Sequence, residues 1–177
     1  MKVSAEKLQL FAMLLGAPEA GSLEILQSMS AQHPWLMGPL HELHDTPLQQ
    51  WQGEHTALFI NGYPHTVAPP FLTALCSGQM GGAEEESMRD FYYRLGLEAD
   101  GMPADYLGTL FECAAWLLQQ EEKQSDDFAE LWDNYLYPVL PDFANRLIEH
   151  QGLRLYQEMG RQLSQIYWHN APELALA

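Results

Sequence analysis

Apolar positions recur along this chain at helical spacing, and the alternation of a half-buried strand is almost absent. Leu107, Leu110, Phe111, Ala114, Leu117 and Leu118 form one stripe, which Ala115 and Trp116 widen almost all the way round. Such a stripe predicts a central helix packed on most sides. Leu10, Phe11, Leu14 and Leu15 mark a first helix from about Ser4 to Leu15, closed by Gly16 and Pro18. A second is expected over roughly Gly21 to Ser30, and a short one over Met37 to His44.

Thr46–Pro47 reads as an N-cap followed by an N1 proline, with Gln49 placed for a capping box. The helix it starts carries Leu48, Trp51, His55, Leu58 and Phe59 and stops at Asn61–Gly62. "NGYPHTVAPP" cannot be a regular helix, because its prolines and glycine impose extended or turn geometry. A brief helix from Phe71 to Cys76, a flexible "SGQMGG" connection and an acid-started helix ending at Gly96 follow. Ser125 caps a helix through about Tyr137, which Pro138 and Pro141 are expected to break. The last helix covers about Leu153 to His169. The class is all-α, a single domain of about eight or nine helices spanning 1–177.

Charge narrows the partners. Twenty-four Asp and Glu face eight Lys and Arg, a formal net charge of −16. That surface repels phosphate backbones and anionic membranes, so neither nucleic acid nor a membrane is expected as a partner. A basic peptide fits the charge, and so does an acidic coat that only keeps the chain soluble. No apolar run approaches the ~18 residues of a membrane helix. Lys2 and Lys7 before "LQLFAMLLGA" imitate a secretory signal, but Glu6 and Gln9 interrupt it and a core helix is the reading adopted. Cys76 and Cys113 form no CxxC pair, which argues against a disulfide framework and fits a reducing compartment.

Few residue patterns in the chain carry chemistry. His41-Glu42-Leu43-His44 places its histidines at i and i+3, whereas a zinc protease needs i and i+4 to aim both imidazoles at one ion. "GQMGG" lacks the lysine and Ser/Thr of a phosphate loop, and Glu84, Glu85 and Glu86 follow it. Cys113 sits mid-helix among apolar neighbours, where a thiol is inert packing. Glu121–Glu122 and Asp126–Asp127 read as solvated faces and caps. A hydrolase or a nucleotide-binding enzyme therefore lacks its nucleophile and its cradle, and no metal or cofactor is expected. What remains is a set of acids, prolines and aromatics in the connections: Glu54, Leu58 and Phe59; Pro69, Pro70 and Phe71; Pro103, Asp105 and Tyr106. Residues of this kind on a helical scaffold either bind something or fill gaps between helices.

Three segments carry a resemblance. "EHTALFINGYPHTVAPPF" resembles the E-Y-x-x-L-F … P-P-Y segment of the TorD/DmsD/NarJ family of molybdoenzyme maturation chaperones. "MPADYLGTLFECAAWLL" resembles its P-x-D-H-x-x-x-x-L-x-x-x-x-x-L signature, and "FAELWDNYLYPVLPDFANRL" is similar to its later F-x-x-x-x-L … W-x-P-x-F block. They occur in family order from about Glu54 to Leu147, and the second is closer to the YcdY-like branch than to TorD. The resemblance implies a cytoplasmic, non-enzymatic, all-helical chaperone without a cofactor, either a monomer or a domain-swapped dimer. It would bind the twin-arginine-type leader of the catalytic subunit of a molybdenum oxidoreductase until the cofactor is inserted. The branch also allows a helper for another metalloenzyme with no twin-arginine client. The nine connection residues just named inherit the peptide-binding role. Two of the motif positions depart: the family's Asp-His is Asp105–Tyr106 here, and its Glu-Tyr is Glu54–His55. Asp105 is expected to cap the central helix and to offer its second oxygen, with Tyr106, to a basic peptide.

Overall fold

The computed structural model describes residues 3–78, 82–120 and 125–169. Its helices are α1 (Ala5–Leu15), α2 (Ser22–Met29), α3 (Met37–His44), α4 (Leu48–Phe59), α5 (Leu72–Ser77), α6 (Ala83–Arg94), α7 (Leu107–Gln119), α8 (Ser125–Leu131), α9 (Tyr137–Glu149) and α10 (Arg154–His169). A 3-10 turn, Pro34–Leu36, leads into α3. Among the described residues there is no β-sheet. The all-α expectation therefore holds, with boundaries within a residue or two for most helices. Much of "SGQMGG", the Glu121–Glu122 pair and the Ser125 side chain lie outside the described residues.

Two helix pairs organise the core. The central helix α7 packs along α1, with the Phe11 and Phe111 ring centroids 5.8 Å apart. Both helices bury most of their length because they are apolar almost all round. Leu118, assigned to the buried stripe, is 37% exposed instead, and Trp116 is only half-buried. The second pair is α9 with α10, joined by a short connection. Gly160 permits their close approach: a Cβ there would meet the Ala144 carbonyl at 2.7 Å.

Ser4 caps α1, its hydroxyl oxygen accepting the Lys7 N–H at 3.3 Å. Two other expectations fail for identifiable reasons. The Thr46 capping box does not form, because the Thr46 hydroxyl donates to the Glu42 carbonyl at 2.8 Å and leaves Pro47 as an N-cap without a side-chain bond. Nor do Pro138 and Pro141 break the chain. A π turn, Trp132–Leu136, carries α8 directly into α9, with Pro138 immediately after the join. Pro141 lies inside α9. With α8 and α9 continuous, the described helices form nine rods.

Candidate functional site

The two proline-bearing stretches flagged in the sequence meet at one corner. Phe71 and Tyr106 form an isolated antiparallel bridge. The Leu107 N–H donates to the Pro70 carbonyl at 2.8 Å, and the Leu72 N–H donates to the Asp105 carbonyl at 3.0 Å. Leu107 and Leu72 are the first residues of α7 and α5, where N–H groups have no acceptor within their own helix. Each approach strand therefore caps the other's helix.

Asp105 completes this exchange, though not as expected. Its Oδ2 accepts the Thr73 N–H at 3.0 Å and the Thr73 hydroxyl at 2.5 Å. The N-cap of α7 is Tyr106, which makes no side-chain capping bond. Asp105 thus caps α5 rather than the helix it precedes, because the bridge turns it toward the free N–H groups of α5. It is 1% exposed, so it bears on any ligand through the corner it holds together.

Tyr106 is half-buried, its ring centroid 5.5 Å from that of Phe71. Its hydroxyl donates to the Leu15 carbonyl at 3.0 Å, and His55 Nε2 lies 2.9 Å from the same oxygen. A carbonyl only accepts, so His55 carries its proton on Nε2. Burial lowers the His55 pKa against the opposing effect of the Leu15 bond, and the ring is held neutral. Burial, with a smaller contribution from Glu112, pushes the Tyr106 hydroxyl up to about 12. Both donors occupy the last carbonyl of α1, a group with no acceptor role inside its own helix. The two departures from the family motifs are therefore one feature: a tyrosine and a histidine have exchanged places on two elements that serve the same atom.

The remaining motif residues lie deeper. Leu58 and Phe59 are 0% and 2% exposed, and Phe59 packs edge-on against His55 and Tyr156. The Glu54 Oε1 accepts the Leu153 N–H at 3.0 Å and pairs with His150 Nε2 at 2.9 Å, pinning α4 to the α9–α10 connection. Pro70 is buried, whereas Pro69, Phe71 and Pro103 are half-buried and reach the surface of the corner.

Beside that corner runs a groove that sequence reasoning missed. A cavity of about 320 Å³ is lined by Tyr92, Tyr93, Leu97, Met102 and Ala104 together with Glu85, Arg89 and Glu98. Tyr92, Leu97 and Glu98 also line a second cavity of about 200 Å³ reaching Cys113 and Trp116. Tyr93 is 82% exposed, while the buried Tyr92 hydroxyl has no hydrogen-bond partner among the described residues. Burial, then Cys113, Asp105 and Glu112, raise the Tyr92 pKa, so the hydroxyl stays a donor. Arg89 is committed to Glu85 at 2.7 Å, whereas Glu98 has no cation within salt-bridge range among the described residues. The available signal was "YYRLGLEADGM", where Tyr93, Leu97 and Met102 alternate with acids around a helix stop.

Elsewhere, the Cys113 thiol is buried and pushed up to about 12, chiefly by burial and secondarily by Asp127, which keeps it an inert thiol. Both cysteines are free. His41 and His44 are exposed, and no cluster of potential metal ligands occurs among the described residues.

Comparison with known proteins now places the chain. It is 29% identical over 113 residues to the chaperone protein YcdY of Escherichia coli (strain K12), a match covering 63% of this chain and 58% of that protein. The match thus spans little more than half of the relative's length. The fold is similar, with a TM-score of 0.68 and 18% identity, to a crystal structure assigned as a redox enzyme maturation protein from Archaeoglobus fulgidus, over 93% of this chain and 94% of the other. A family profile described as "Nitrate reductase delta subunit" matches residues 20–149, which contain all three motif segments. The chain belongs to that family, the NarJ/TorD-type chaperones that its motifs resemble.

Proposed function

We propose that this protein is a non-enzymatic, cytoplasmic maturation chaperone that binds the leader of a redox-enzyme catalytic subunit until its molybdenum cofactor is inserted. Family membership and the names of both relatives support the chaperone class. The observation that carries the leader reading is the adjacency of two features. The Phe71–Tyr106 bridge joins the two proline segments into a corner, and a groove lined by both apolar and acidic side chains opens beside it. A leader with arginines before an apolar run matches that pairing. Pro69, Phe71, Pro103 and Tyr106 would touch the peptide. Glu54, Leu58, Phe59, Pro70 and Asp105 would hold the surface they stand on.

Magnitudes divide the work. An exposed Arg–carboxylate pair contributes about 0–1 kcal/mol, whereas burying a Leu or Phe side chain contributes roughly 1.5–3 kcal/mol before ordering costs. The apolar run supplies most of the affinity, and the acids supply steering and selectivity. A second reading is favoured by Tyr106 standing where the family carries histidine, and by the match to YcdY. Under it, the client is another metalloenzyme without a twin-arginine leader.

Calorimetric titration with a twin-arginine leader peptide and its Lys-Lys variant tests both readings. The first expects saturable binding that Phe71→Ala weakens by about tenfold, with a preference for the arginine peptide. Equal binding of the two peptides favours the second reading. No binding of either, by a folded protein, overturns the leader proposal.

A further inference from the structure

All five arginines of this acidic chain, Arg89, Arg94, Arg146, Arg154 and Arg161, lie within 4 Å of a carboxylate. Lys7 does not. It is 5% exposed, and its Nζ donates at 2.7 Å to the neutral Gln162 Oε1, with no carboxylate in range among the described residues. A buried ammonium without a counter-charge is unfavourable, and burial lowers the Lys7 pKa, a shift that a bound carboxylate would oppose. In a chain with 24 acids and eight bases, a carboxylate would be the easiest partner to supply.

Lys7 opens onto a cavity of about 390 Å³ shared with Ser4, His33, Pro34, Trp35 and Gln162. That volume lies within the usual range of small-molecule sites, about 300–1,000 Å³. Two buried ring nitrogens of its wall, His33 Nε2 and Trp35 Nε1, have no hydrogen-bond partner among the described residues. The indole nitrogen can only donate. The cavity stands at the N-terminus of α1, whose dipole favours negative charge. The Lys7 ammonium and the α1 dipole both favour an anion at this place.

We propose that this cavity is a binding site for a small monocarboxylate with an apolar body: the carboxylate on Lys7, the body against Pro34 and the Trp35 ring. One positive charge sets the preference for a monoanion. Burial and the nearby Lys7 both disfavour a charge on His33, while Glu6 opposes them. Glu6 repels any anion there, and a dianion more than a monoanion. The site is separate from the Phe71–Tyr106 corner and does not rest on the leader reading.

N-acetylphenylalanine and its amide share one body and differ in the carboxylate. Calorimetry on the full chain is expected to show saturable binding of the acid, and binding of the amide weaker by about tenfold or more. Lys7→Met is expected to abolish binding of the acid, Lys7→Arg to retain part of it, and Trp35→Phe to weaken it. Inorganic phosphate, a competing anion of higher charge, is expected to displace the acid poorly. The proposal is overturned if the wild-type chain shows no saturation by about 10 mM acid, which corresponds to less than about 3 kcal/mol. Equal affinity for acid and amide also overturns it, as does unchanged binding by a folded Lys7→Met variant. If Lys7→Met does not fold, the acid–amide comparison on the wild-type chain decides.

Discussion

At the scale of single residues, the structure turns on side chains that serve an element other than their own. Asp105 precedes α7 but caps α5 through Thr73. Its substitutions should therefore be read at Thr73. Asp105→Asn keeps an oxygen acceptor for both Thr73 donors and gives up only the charge assistance. Asp105→Ala strands a buried N–H and a hydroxyl, at about 1–3 kcal/mol. In urea unfolding, Asp105→Ala should be the more destabilising by at least about 1 kcal/mol. A double-mutant cycle with Thr73→Val should return a coupling of about 0.5–3 kcal/mol, since contacting residues do not add. Additive effects of the two changes would mean that Asp105 acts on something other than α5. Tyr106 carries a related lesson. Replacing it with the family's histidine shortens a donor that must reach the Leu15 carbonyl, and only the reciprocal change at His55 offers a tyrosine to the same oxygen.

At the scale of elements, Glu54 shows how one side chain fixes two helices. Its carboxylate occupies the space where a side chain at residue 152 would stand, because a Cβ on Gly152 would overlap Glu54 Oε1. Gly152→Ala should therefore destabilise by about 1–3 kcal/mol through crowding. Glu54→Ala should destabilise by leaving the Leu153 N–H without its acceptor. Combined, the two changes should be less harmful than their sum, because removing the carboxylate makes room for the methyl. Thermal melts of the four proteins check this, and strict additivity would show that the crowding is relieved elsewhere. Such a contact explains where legibility in the sequence ends. The stripes of α1 and α7 and the acid-started α6 were readable, since each is written within a few turns. The bond from Glu54 to the 150–153 connection was not, and neither was the Phe71–Tyr106 bridge, because tertiary register decides which distant backbone groups meet. Local signals also misled where a second partner was available. Thr46 preferred the carbonyl of Glu42 to its own helix, and a π turn absorbed the prolines near 138. Of the motif residues, Leu58 and Phe59 are core, and the cavity beside the corner is lined largely from "YYRLGLEADGM", a stretch without a motif.

At the scale of the whole molecule, a formal charge of −16 acts on stability and on recognition in opposite senses. Like charges on a compact surface repel one another, which favours expansion, and added salt screens that repulsion. Under the leader proposal, salt would also screen the long-range attraction between the acids of the groove and a cationic peptide. Raising sodium chloride from about 0.05 to 0.5 M shortens the Debye length from roughly 14 to 4 Å. The melting temperature should then rise while leader binding weakens. If the acids at the groove only steer, the loss of affinity should lie mainly in the association rate, which electrostatic attraction accelerates. Dissociation should then change little, because in the proposal apolar contacts would hold the peptide. Stopped-flow measurements of both rates, with melts in the same buffers, separate the two effects. A dissociation rate that climbs with salt while association stays constant would place desolvated charge pairs, with Glu98 as the first candidate, at the centre of the contact. A melting temperature that falls with salt would mean that the surface ion pairs of the five arginines outweigh the repulsion among the acids.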